Sequence, residues 1–111
     1  YAHKLTKNEG ALDWQLDAIT LSRRVRAFDP WPGSRCQWRH QTLRVLHAHA
    51  ATAESTDAAP GTVLAADENG IAVATAVGLL VLTQVQLAGG KALSARDFIN
   101  GHDIAVGDRL A

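Results

Sequence analysis

The fold class this sequence predicts is a mainly β domain: a small antiparallel barrel with one helix on its N-terminal side and one short helix near its C-terminal end. Three observations predict it. Residues 18–28 carry apolar side chains at three- and four-residue steps. Beyond residue 36 the period shortens to strand-like stretches divided by turn residues. After the last long strand-like run, Ser94 opens a second short helical stretch.

Taken in order, residues 1–12 are polar and lack a core pattern, so they read as a linker, with the folded domain covering 13–111. Asp17 is placed to cap the helix over 18–28, whose stripe is Ala18, Leu21, Val25 and Phe28. On a helical wheel Arg23 points opposite that stripe, Arg26 lies well away from it and Arg24 flanks it. The stretch Arg26-Ala27-Phe28-Asp29-Pro30-Trp31-Pro32 ends the helix, because Pro30 has no N–H to donate and its ring clashes with the preceding turn. Trp14, Phe28 and Trp31 read as core anchors.

Strands are expected at about 36–40 and 42–50, around Gln41-Thr42, with Leu43, Val45 and His47 facing inward and Arg44 and Leu46 outward. Residues 51–59 are small and polar and read as an exposed, mobile loop. Pro60-Gly61 makes a turn, 62–66 a strand, and Glu68-Asn69-Gly70 a hairpin turn favouring positive φ. Residues 71–76 and 79–87 form a hairpin about Val77-Gly78, and Gly89-Gly90 breaks the chain. The second helix runs over 95–100 and stops at Gly101; Asp108-Arg109-Leu110 supplies a last strand that closes the sheet. A helix, about five short strands and a short helix describe an OB-like, partly open barrel.

Bulk properties narrow the function classes. With 111 residues, 47% of them apolar and 20% charged, the chain supports one ordinary globular core. The longest nearly uncharged apolar run, 71–82, is too short to span a bilayer, so no membrane role is expected. The lone Cys36 fits a reducing, cytoplasmic compartment, and no secretory leader is read. There is no Met, so the chain reads as a piece of a longer protein. Net charge is zero but uneven: residues 1–50 hold eight basic against four acidic residues, and 51–111 hold three against seven.

Enzyme chemistry is sparse. Gly89-Gly90-Lys91 lacks the rest of a phosphate-cradling loop. His47-x-His49 offers two imidazoles without further ligands at a metal-site spacing, and Cys36 has no evident His and Asp partners. No catalytic residue and no cofactor or metal site is therefore assigned within this chain. For nucleic acid the candidates are Lys4 and Lys7 on the linker, Arg23 and Arg26 on the helix, Arg44 on a strand and Lys91 on a loop. Such residues neutralise phosphates and position an RNA without reading its sequence. Aromatics do not alternate along any strand, so a base-stacking platform is not expected.

Several stretches together carry a resemblance: Tyr1-Ala2-His3-Lys4-Leu5-Thr6-Lys7, Asp13-Trp14, the helix through the proline corner, and Ala59-Pro60-Gly61-Thr62. It continues with Gly70-Ile71-Ala72-Val73-Ala74-Thr75, Gly90-Lys91-Ala92-Leu93-Ser94-Ala95 and Asp108-Arg109-Leu110. Across its whole length the chain resembles the C-terminal domain of bacterial methionyl-tRNA formyltransferase, preceded by its interdomain linker. The resemblance implies an OB-like domain that binds initiator methionyl-tRNA in translation initiation. An N-terminal catalytic domain, absent from this chain, then transfers a formyl group from its substrate 10-formyltetrahydrofolate to the methionyl amino group. By position it places Lys4 and Lys7 on the basic linker, Arg23 and Arg26 on helix arginines, and Arg44 and Lys91 on basic strand and loop positions.

The sequence departs from that pattern in three places. Gly90-Lys91 stands where relatives often carry two lysines, His102-Asp103 where some carry an Arg-Arg pair, and Thr75-Ala76-Val77-Gly78 where the turn is more polar. Two alternatives are the barrel of a related formyltransferase or formyltetrahydrofolate hydrolase that binds no tRNA, and a protein-binding module. The latter would need a sizeable exposed apolar patch.

Overall fold

The computed structural model describes residues 11–28, 33–51, 58–102 and 104–110. Lys4, Lys7, the corner at 29–32 with Trp31, most of the 51–59 loop and Asp103 lie outside them. The elements are α1 (Ala18–Ala27), β1 (Ser34–Trp38), β2 (Gln41–Ala51), β3 (Val63–Asp67), β4 (Gly70–Ala74), β5 (Leu79–Leu87), β6 (Leu93–Ser94) and α2 (Ala95–Gly101).

All six strands join one sheet in the order β1-β2-β5-β4-β3, with β6 paired to β5. Every strand pair is antiparallel. β4 pairs with the Leu79–Leu82 half of β5, and β6 takes up Gln84 and Val85 farther along the same strand. The mainly β class with two helices is as the sequence predicts.

The expected closure of the barrel needs correction. Among the described residues the ladder does not run from β3 back to β1. Instead the tail lies along β3: the Val63 N–H donates to the Asp108 carbonyl, the Gly107 N–H to Val63 and the Leu110 N–H to Gly61, each at 2.8 Å. Among its described residues, Arg109 alone makes a β-bridge, with Thr62. Side chains cross the remaining gap. Trp38 of β1 donates its Nε1–H to Asp108 Oδ2 at 3.1 Å, and Trp14 donates its own to the Leu110 carbonyl at 2.8 Å.

One core fills the space between sheet and helices. Leu21 and Val25 of α1 meet Leu43, Val45, Val63, Ile71, Val73, Leu80, Leu82 and Val85 of the strands and Phe98 of α2, with Trp14 and Trp38 in the same cluster. Burying each of these aliphatic side chains favours folding by roughly 1.5–3 kcal/mol. Phe28, expected at the end of the helical stripe, is only half-buried. Trp38, which the alternation did not single out, is fully enclosed.

Two further strand expectations change. The β1–β2 turn falls at Arg39-His40, not at Gln41-Thr42, because Trp38 pairs directly with Gln41. In β2 the register slips on both sides of His47, and this bulge turns His47 outward instead of letting it follow Leu43 and Val45 into the core. At the β3–β4 turn the positive φ falls on Gly70 alone (+139°). A Cβ there would lie 2.5 Å from Val81 Cγ1, so the strands could not approach this closely with another residue.

Candidate nucleic-acid interface

α1 forms because its N-terminus is capped and one face is apolar. The Asp17 carboxylate accepts the Thr20 N–H at 2.9 Å, and Ala18, Leu21, Ser22 and Val25 are buried. The helix stops at Phe28, whose N–H closes on the Arg24 carbonyl at 2.9 Å. Arg23, Arg24 and Arg26 are exposed. Arg24 and Arg26 stand in the last turn, where the negative end of the helix dipole favours cations. Arg23 sits farther back: the Thr20 hydrogen bonds hold the Asp17 carboxyl below its usual range, and the Arg23 charge adds to that.

Arg44 projects outward from β2, directly across from Arg35 on β1 and Gln86 on β5. Its guanidinium lies over Gly33, where a Cβ would come within 2.7 Å of Nη2 and where φ is +78°. The positive φ favours glycine at that position, and the absent side chain lets the guanidinium lie this close. The Gly33 N–H in turn donates to the carbonyl of Phe28 at 2.8 Å, so Gly33 connects Arg44 to the residue that caps the C-terminal end of α1, the end that carries Arg24 and Arg26.

Lys91 is exposed on the connection from β5 to β6. It borders a surface cavity of about 370 Å³ shared with Gln41, Phe98 and His102. A neighbouring cavity of about 240 Å³ is bordered by Thr42, Arg44 and Gln86, and both cavities share Leu87, Ala88 and Gly89. Arg44 thus lies between Gly33, which is bonded to the cap of α1, and residues 87–89, which lead to Lys91. Arg23 is the outlying member, and Lys4 and Lys7 lie outside the described residues.

Arg35 escaped the sequence reading. The signal for it was the hairpin register: once the turn is placed at Arg39-His40, Arg35 and Arg44 become direct cross-strand neighbours. His47 and His49 are exposed on β2, and no group of three or more His, Cys, Asp or Glu side chains suited to a metal occurs among the described residues. Burial pushes the Cys36 thiol up to about 12.

The fold is one open antiparallel sheet with two helices and exposed cations on its surface, and the sequence comparison assigns it to a family. Residues 4–103 match the family model "Formyl transferase, C-terminal domain", and the chain belongs to that family. It is 46% identical over 108 residues to methionyl-tRNA formyltransferase of Delftia acidovorans, covering 96% of this chain and 33% of that protein. The corresponding protein of Nitrosococcus oceani is 47% identical over 107 residues, again covering 96% and 33%. The chain therefore spans about a third of the length of the relatives it matches. Among solved structures, a variant of HypX from Aquifex aeolicus superposes with a TM-score of 0.67 at 21% identity, covering 88% of this chain and 18% of that one, which shows the shared fold. HypX in complex with tetrahydrofolic acid superposes at 0.65 and 22%, covering 83% of this chain and 16% of that one.

Proposed function

We propose that this chain is the tRNA-holding domain of a methionyl-tRNA formyltransferase. It binds and positions initiator methionyl-tRNA while the N-terminal catalytic domain transfers a formyl group from 10-formyltetrahydrofolate to the methionyl amino group in the cytoplasm. In this reading residues 1–12 are the interdomain linker and 13–111 the RNA-binding domain. The observation that carries it is the identity of about 45% with methionyl-tRNA formyltransferases along the whole chain. The exposed cations Arg23, Arg26, Arg44 and Lys91 support it, as does the position of Arg44 between Gly33 and residues 87–89. Lys4 and Lys7 extend the contact along the linker. These side chains act on phosphates, so they supply affinity and register rather than sequence readout.

A second reading, a related formyltransferase that handles no tRNA, draws on the fold shared with HypX. The two separate in the whole protein. Replacing Arg23→Glu and Arg26→Glu weakens tRNA binding about tenfold while leaving folate affinity unchanged, if each removes about one phosphate contact. Unaltered tRNA binding in that variant would take these arginines out of the interface.

A further inference from the structure

Four polar side chains that play no part in the interface above meet at the tip of the β1–β2 hairpin. Gln37, Arg39, His40 and Arg109 line a surface notch of about 330 Å³. Arg39 and His40 come from the turn, and Arg109 from the tail that fills the gap beside β3.

The turn is built at a cost. It has only two residues, and both take positive φ, 50° at Arg39 and 66° at His40. Such turns favour Asn-Gly, because a Cβ crowds the backbone in the left-handed region. Arg39 and His40 are the only described non-glycine residues with positive φ. An exposed pair kept in a strained conformation points to a use beyond folding.

Both guanidiniums are also held in place. Arg39 lies 4.8 Å from the centre of the Trp38 ring, and its Nη2 is 3.7 Å from Asp108 Oδ2. Arg109 donates from Nη2 to the Pro60 carbonyl at 3.3 Å. A guanidinium carries five donors in a fixed fork, so it can keep an anchor and still grip an oxyanion. Among the described residues the notch thus presents two guanidiniums and an imidazole beside the Asp108 carboxylate.

We propose that this notch takes a phosphodiester of a folded RNA and extends the footprint of the basic interface; the inference rests on the RNA-binding reading. The notch neighbours that interface: the buried Trp38 ring lies between Arg39 and His102, and His102 borders the same cavity as Lys91.

The test replaces Arg39→Asn together with His40→Gly, which gives the turn its preferred residues. This variant melts higher by roughly 4 °C. It binds folded tRNA about five- to tenfold more weakly at moderate salt, and its log K against log[salt] slope is shallower by about one. Arg109→Gln, which leaves the turn intact, shows a similar loss in slope of about one and melts no higher than the unmodified chain, because its bond to Pro60 is lost. Unchanged affinity and slope in both variants, with steep salt dependence retained in the unmodified chain, overturns the notch and leaves the wider RNA-binding reading standing. An unmodified chain that fails to bind tRNA at low salt removes both.

Discussion

Trp38 on the first strand donates its indole N–H to Asp108, seventy residues along, and this bond at 3.1 Å fastens the tail to the strand it does not pair with. Asp108 also accepts the Ala105 N–H at 3.1 Å and faces Arg39. These contacts, the Trp38 bond foremost, hold its carboxyl below the usual range despite partial burial. A depressed carboxyl stabilises the fold above its unfolded pKa of about 3.9, and the benefit is lost as pH falls through the lower folded value. Asp108→Ala should therefore cost about 1–2 kcal/mol at neutral pH, because the Trp38 N–H loses its acceptor. It should also flatten the acid limb of the stability curve below about pH 4. Urea melts at pH 7 and pH 3 check this; an equal cost at both pH values contradicts it.

Ser34 is a weak point that can be repaired. The residue is 2% exposed, and its buried hydroxyl finds no hydrogen-bond partner among the described residues. Burying an unpaired hydroxyl is unfavourable, so Ser34→Ala should be neutral or stabilising by up to about 1 kcal/mol. Thermal unfolding measures it. A clear loss of stability would mean that the hydroxyl has a partner.

Cys36 faces the core from β1, and burial raises its thiol from 9.0 to about 12. The thiolate is the reactive form, so at pH 8 the folded chain should resist iodoacetamide and react only as it unfolds. A raised thiol also favours the fold below its unfolded pKa, and that stability fades as pH climbs from about 9 toward 12. Labelling as fast in buffer as in denaturant would place the thiol at the surface.

How much of this was legible depended on how local the determinant was. The first helix could be read because Asp17 and the Ala18, Leu21, Val25 stripe act within one segment. Ser94 likewise capped the second helix, accepting the Asp97 N–H at 3.2 Å. The β1–β2 turn was misplaced because Arg39-His40 carries no turn chemistry; the register that forces it comes from pairing with a neighbouring strand. His47 was misassigned because a bulge leaves no mark in an alternating pattern. The open sheet was hidden for a related reason: Trp14 and Trp38 reach the tail through side-chain bonds that no periodicity reports. At the interface, Arg23, Arg26, Arg44 and Lys91 could be chosen one by one as exposed cations. The adjacency of Arg44 to Gly33 and to the Lys91 loop is a property of the folded chain.

The most direct test of the central claim is the salt dependence of tRNA binding by this chain, followed by fluorescence anisotropy. Between about 50 and 200 mM salt the affinity should fall by at least roughly 100-fold, and replacing Arg23, Arg26, Arg44 and Lys91 by glutamate should make the log–log slope shallower by about four. Binding indifferent to salt, or the same slope after all four replacements, would contradict a domain that grips RNA through these phosphate contacts.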